Sequence, residues 1–449
     1  MSRHHCFCSF FFALVIGISA SAQTGESVPE LVNFDAAMLN LLDQYDVPGA
    51  QLAITYQGRL VYSRGFGYAN TADQTLVQPD HIFRLASLSK PITSISVMHL
   101  LELGDISLDD LVFGDQGILN DQIYEVILDP RVNDITVQQL LDHSGGWNRN
   151  ISGDPMFDAY GIASFMGTEA PADAETVIRY VIANEMLDFT PGTESQYSNF
   201  GYCILGRVIE KITGQNYEDF VKTVILQPLD ITNMHCGFNL VNEQLPMEVN
   251  YYDYLGAPFA SSVYDNVSNV PWPYGGFNLE PMDAHGAWVA SAGDLCRLLV
   301  AVDGFPSKPD ILQSGTIDIM TEPSLNDSYY SLGWSVNPFN NWWHTGSLPG
   351  TTTEMVRTSN QMNWAILLNT RNANNGPLIT AADQLVWSVL PSIVEWPDLD
   401  LFSGIETLND DSDWNIYPNP TSGIFKIESK NVLEFIRVYN SNGSLVYSI

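Results

Sequence analysis

Three observations predict a mixed fold, α/β plus all-α, in which an antiparallel sheet flanked by helices carries an inserted helical region and is followed by a small β module. Alternating branched and polar residues mark strands near both ends of the first 397 residues, helical apolar spacing fills the stretch between them, and past Trp396 the composition changes. From Gln51 to Tyr68, QLAITYQGRLVYSRGFGY reads as two strands around a turn at Gln57 and Gly58. The run ITSISVMHLLELG has helical spacing and stops at Gly104, a residue suited to a left-handed cap. Roughly from Ile106 to Leu299 the chain reads as mostly helical with long loops. Thr136 can cap VQQLLDH, NFGYCILGRVIEKITG puts Phe200, Ile204, Leu205, Val208, Ile209 and Ile212 on one face, and Ser291 with Asp294 opens DLCRLLVAV. Asn250 to Gly276, rich in Tyr, Pro, Asn and Gly without periodicity, is expected to wall or cover a pocket. Strands return in YSLGWSV, TTTEMVRT and NWAILLNT, before a helix around ITAADQLVWSVL. A sheet built from both ends, with helices inserted between them, leaves a cleft where the two blocks meet.

Residues 1–22 combine a basic start, an apolar run from about Phe10 to Ile18 and small residues at Ala20, Ser21 and Ala22, the pattern of a secretory signal cut after Ala22. That run is shorter than the roughly 20 apolar residues of a membrane span, and no later stretch approaches that length, so no span is expected in the mature protein. Cys6 and Cys8 precede the apolar run, which excludes them as lipid-attachment sites after cleavage. Residues 23–397 are expected to form the main domain, 398–414 an acidic linker, and 415–449 a β-rich module with a hairpin turn at Asn442 and Gly443. With 52 acidic against 18 basic residues, a net charge of -34 repels a phosphate backbone or an anionic membrane and argues against nucleic acid as a partner. Cys203, Cys236 and Cys296 read as core thiols with room for one bridge. The scattered histidines include no HExxH string and no cluster with carboxylates, so neither metal nor cofactor is expected.

Three short strings carry chemistry: SLSK from Ser87 to Lys90, YSN from Tyr197 to Asn199, and HTG from His344 to Gly346. At a helix start, positions i and i+3 share a face, so the Lys90 amine can reach the Ser87 hydroxyl. A serine is a poor nucleophile until a base takes its proton, and a lysine serves only where desolvation or nearby positive charge lowers its proton affinity. Tyr197 can pass a proton if cations favour its phenolate, and Asn199 can order Lys90 and a substrate carbonyl. The third string suits a sheet edge: His344 and Thr345 offer side-chain donors, Gly346 allows close approach of a substrate backbone, and the Ser347 amide pairs with that of Ser87 as an oxyanion site. No GxSxG string occurs, which argues against an α/β-hydrolase.

Taken in order, FRLASLSKPIT, LLDHSGGW, PGT then YSN then GY, PLDITNM, SAGDL, YSLGW and HTGSLPG resemble the serine β-lactamase and penicillin-binding protein superfamily over roughly Glu30 to Trp396. They look most like its class C branch of β-lactamases, D-alanyl-D-alanine carboxypeptidases, D-aminopeptidases and related esterases. The resemblance implies the β-lactamase/transpeptidase-like fold, an acyl-enzyme on Ser87, Lys90 as partner base, Tyr197 as proton shuttle and His344 in the triad that orients substrate, with Asn199 and Thr345 supporting. It implies a small-molecule or peptide substrate: an ester, a peptide or D-amino acid amide, or a β-lactam. Class C β-lactamases usually carry lysine where His344 stands, which moves the expectation toward peptide or ester hydrolysis. The alternative is a non-catalytic scaffold or ligand-binding sensor, against which the intact set of Ser87, Lys90, Tyr197 and His344 speaks. YPNPTSG, from Tyr417 to Gly423, resembles the opening of the carboxy-terminal domain that type IX secretion systems recognise, here shorter than usual and apparently partial. That resemblance implies the type IX secretion machinery as a partner and an exported, periplasmic or cell-surface location.

Overall fold

Gln57 and Gly58 both take positive φ, 53° and 75°, forming the turn whose twist matches a right-handed hairpin. The structure is a computed structural model that describes residues 23–374, 376–402 and four short strands beyond them. The hairpin belongs to an eight-stranded sheet made of β1 (Gln23–Thr24), β2 (Gly49–Tyr56), β3 (Arg59–Asn70), β4 (Thr75–Leu76), β5 (Ser335–Val336), β6 (Trp342–Leu348), β7 (Thr351–Arg357) and β8 (Met362–Leu368). All its pairings are antiparallel. The spatial order is β1-β3-β2-β8-β7-β6-β5, with β4 on β3, so both ends of the domain meet where β2 pairs with β8.

Five helices organise the rest: α1 (Val32–Tyr45), α2 (Ser89–Leu103), α3 (Asn199–Thr213), α4 (Ala292–Val300) and α5 (Gly376–Val389). Alternation sends Leu52, Ile54, Trp364 and Ile366 to one face, where Phe34 and Met38 of α1 and Leu385 and Val386 of α5 complete a core. Ala53 faces the other way, under α4, and its carbonyl accepts from Cys296 Sγ at 3.4 Å. These helices, and the short one after Thr136, start or stop where the sequence predicts. Gly104 (φ 78°) caps α2, the Thr136 side chain accepts from the Gln139 amide, Ser198 caps α3, and Asp294 N donates to Ser291 Oγ at 3.1 Å.

Elsewhere packing redirects the chain. YSLGWSV, expected as a strand, supplies only Ser335–Val336, because Gly333 (φ 87°) bends the segment against α2, where a Cβ would lie 2.7 Å from that of Ser94. Asn250 to Gly276 contains a single two-residue ladder, Ala260–Ser261 on Asn269–Val270. It is held by the buried Arg84, whose Nη1 donates to Pro273 O (2.7 Å) and whose guanidinium lies 4.2 Å from the Tyr251 ring centre. Cys203, Cys236 and Cys296 are free thiols, Cys203 and Cys296 buried and Cys236 half-buried.

The chain divides into two units after Leu401. Asp400 accepts from the Leu60 amide at 3.1 Å and Leu401 N donates to Leu60 O at 2.8 Å, so the first residues of the expected linker belong to the sheet domain. In the second unit, Trp414–Tyr417 pairs with Lys426–Ser429 and Arg437–Tyr439 with Leu445–Ser448. The expected signal at 1–22, the turn at Asn442 and Gly443, and the string after Tyr417 lie outside the described residues. Among the described residues no helix is long and apolar enough to cross a membrane.

Candidate active site

Ala86 enters the turn before α2 at φ 50°, a left-handed conformation that costs a residue with a Cβ on the order of 1 kcal/mol. Two threonines of β7 hold this turn: Thr351 Oγ1 donates to Arg84 O (3.0 Å) and Thr353 Oγ1 to Leu85 O (2.7 Å). The result is a half-buried Ser87 three residues ahead of Lys90, whose Nζ stands 3.3 Å from Ser87 Oγ. Lys90 is completely buried and also donates to Asn199 Oδ1 (2.7 Å) and His285 O (3.2 Å). Burial drives its amine well below its ordinary value; the Asp154 carboxylate opposes the fall and the Arg149 guanidinium adds to it.

Tyr197 is hydrogen-bonded with Ser87, and its ring centre lies 4.6 Å from Lys90 Nζ and 4.8 Å from Arg149 Cζ. Burial raises its phenol more than the Ser87 bond and Arg149 lower it. The condition that cations favour its phenolate is not met at rest: desolvation outweighs them and holds the phenol neutral. Asn199 spans two partners, accepting from Lys90 and donating through Nδ2 to Asp154 Oδ2 at 2.7 Å.

On β6, His344 and Gly346 share the face that meets the Ser87 turn, whereas alternation puts Thr345 and Ser347 on the other face, beside Glu354 and Thr352. A Cβ on Gly346 would fall 2.4 Å from Leu85 O and 3.0 Å from Ser87 N. The room this glycine makes is thus filled by the chain's own Ser87 turn rather than by a substrate backbone. Thr345 contributes its carbonyl, which accepts from His344 Nδ1 at 2.7 Å, instead of the expected hydroxyl. Pro349 and Gly350 form a two-residue turn that makes Leu348 and Thr351 the bonded closing pair, so the Ser347 amide faces away from β7. That edge is open there, since β5 pairs only with Trp342 and Trp343.

A buried nitrogen base, a serine in its reach, a neutral phenol and two amides on converging segments are the components of acyl transfer. The family model for beta-lactamase matches residues 34–386. The chain belongs to the beta-lactamase family. A second model, the secretion system C-terminal sorting domain, matches residues 415–449. Among curated relatives of this beta-lactamase-family chain, the probable fimbrial assembly protein FimD, serogroup H1, of Dichelobacter nodosus is 25% identical over 328 residues, 71% of this chain and 74% of that one. A putative D-alanyl-D-alanine carboxypeptidase of Escherichia coli O157:H7 is 24% identical over 342 residues, 70% and 75% of the two chains. Among solved structures, D-amino acid amidase from Ochrobactrum anthropi SV3 superposes with a TM-score of 0.61 at 21% identity, covering 80% of this chain and 99% of the other. The octameric penicillin-binding protein homologue from Pyrococcus abyssi gives 0.58 at 23%, covering 79% and 77%. These place the beta-lactamase-family domain in the β-lactamase/transpeptidase-like fold.

The structure gathers Ser87, Lys90, Tyr197, Asn199, His344 and Gly346 around the start of α2. It adds His143, Arg149, Asp154, His285 and Tyr330, which sequence reasoning did not select. His143 and Tyr330 stood inside LLDHSGGW and YSLGW, strings that supported the resemblance without being assigned roles. Asp154 and Arg149 lie in a loop with no distinguishing pattern.

Proposed function

We propose that this protein is an exported serine hydrolase that cleaves an ester or amide bond through a covalent acyl-enzyme on Ser87. The observation that carries the reading is the Lys90 amine, completely buried, lowered in proton affinity and 3.3 Å from Ser87 Oγ. Neutral Lys90 takes the Ser87 proton as Oγ attacks the carbonyl carbon. The amides of Ser87 and Ser347 hold the oxyanion. Tyr197, a neutral phenol bonded to Ser87, protonates the leaving group and is restored by Lys90. In the second half the same pair removes a proton from water, which attacks the acyl carbon and frees Ser87.

His344 in place of a lysine favours peptide, D-amino acid amide or ester substrates over β-lactams, in line with the carboxypeptidase and amidase among the similar proteins. The module at 415–449 supports export through a type IX secretion system, after removal of residues 1–22 as a signal. Ser87→Ala is expected to lower hydrolysis of a chromogenic short-chain ester by at least about 1000-fold. Mass spectrometry should show an acyl adduct on the native chain and none on the variant. Equal turnover by the two chains would sink the assignment.

A further inference from the structure

Three buried side chains that these steps leave idle form one hydrogen-bonded line behind Tyr197. The Ser198 amide donates to His143 Nδ1 (3.3 Å), His143 Nε2 lies 3.0 Å from Tyr330 Oη, Tyr330 Oη lies 3.3 Å from His344 Nε2, and His344 Nδ1 lies 2.7 Å from Thr345 O. Both ends dictate where the protons sit. A backbone amide only donates, so His143 Nδ1 is bare and its Nε2 carries the proton. A carbonyl only accepts, so His344 Nδ1 carries the proton and its Nε2 is bare. Tyr330 therefore accepts from His143 and donates to His344, the assignment that satisfies all four contacts with both rings neutral.

The surroundings maintain that state. His143, Tyr330 and His344 are 3%, 8% and 4% exposed. Burial, with Lys90 adding to it, holds both imidazoles below their ordinary value, His344 at about 3. The groups facing the line are Lys90 from α2, Arg149 from the loop after His143, Asp142 beside it, and Tyr197 and Tyr202 at the start of α3. The Tyr202 hydroxyl donates to Leu141 O at 2.7 Å and is a further hydrogen-bond partner of Tyr330. Two backbone distortions deliver the partners: His143 sits at φ 62°, and the bend at Gly333 (φ 87°) follows Tyr330.

We propose that Tyr330 and His143 are positioning residues that lock His344 as its Nδ1–H tautomer and so pin the Thr345 carbonyl at the strand edge presenting the Ser347 amide. The Thr345–Gly346 peptide is adjacent to the Gly346–Ser347 peptide that carries this amide. With the opposite tautomer a bare nitrogen would face Thr345 O, and the repulsion would release the edge. The inference rests on the hydrolase reading for the role of Ser347, whereas the tautomers are measured without turnover.

Nitrogen-15 histidine NMR on the full chain, assigned through H143Q and H344Q, should show His143 as the Nε2–H tautomer and His344 as the Nδ1–H tautomer, neither titrating between pH 5 and 8. Tyr330→Phe keeps the ring and removes the hydroxyl. Loss of a donor to bare Nε2 removes support for neutral imidazole, so His344 should titrate at higher pH than in the native chain. For a short-chain ester, kcat should fall roughly 10-fold, part of the ~100-fold or more that loss of an oxyanion donor costs, with KM within about twofold. Swapped tautomers, a charged ring at pH 7, or a Tyr330→Phe chain with native kcat and native His344 titration would overturn the positioning claim alone. A native chain that hydrolyses no ester or amide would overturn the hydrolase reading, and this role with it.

Discussion

Lys90 experiences two opposed charges from one loop, Asp154 raising its proton affinity and Arg149 lowering it, on top of a larger fall from burial. In the proposed reaction the base works as the free amine, so activity is expected to rise with pH through the Lys90 titration, with the acid limb of kcat/KM reporting it. Asp154→Asn retains an acceptor for Asn199 but removes the negative charge. It should lower the Lys90 proton affinity further and move that limb to lower pH by up to about 1 unit. Arg149→Gln should move it to higher pH. Because Arg149 is exposed, ~1 M salt should shrink its effect more than that of Asp154. Limbs that move together, or stay fixed in both variants, would show that another group titrates. Ser87, Lys90, Tyr197 and Asn199 were legible because reactive side chains recur at short, fixed spacing around a helix start. Asp154 was not, since an aspartate in a loop looks like any solvated carboxylate until folding places it 2.7 Å from Asn199.

The paired strands β6 and β7 do two jobs at the level of the element, one on each face. Toward the cleft, Gly346 accommodates the Ser87 turn, and Gly346→Ala should push Leu85 and Ser87 away from the strand. The expected result is a fall in kcat of at least roughly 10-fold with secondary structure retained, measurable by ester kinetics beside circular dichroism. Toward α5, Glu354 of the neighbouring β7 is 2% exposed, and burial with repulsion from Asp383 pushes its carboxyl up to about 8. The folded state thus keeps a proton that the unfolded chain releases. The contribution is fully present below the ordinary carboxyl range and is lost as pH rises through about 8. Glu354→Gln should therefore raise stability at pH 8.5 by on the order of a few kcal/mol and change it little at pH 4, as read by urea unfolding. The alternation of β7 and β8 was visible in the sequence, but the bend in YSLGW was not, because it depends on contact with α2 rather than on local propensity.

At the scale of the whole molecule, the sheet domain extends to Leu401, four residues into the acidic stretch. A chain ending at Pro397 lacks the Leu60 contacts that one ending at Leu401 keeps, and should melt a few degrees lower. Equal melting of the two truncated chains would place the boundary where composition alone put it. The sequence by itself determined most of the layout of helices and strands, the family and the closeness of Ser87 to Lys90. Periodicity, caps and i,i+3 spacing act within a few residues and are written into them. Tertiary structure decided the proton affinities of Lys90 and Tyr197, the occupant of the space at Gly346 and the line from His143 to His344. His143 and Tyr330 are 187 residues apart, and only burial among partners brought together across that distance fixes which nitrogen holds a proton.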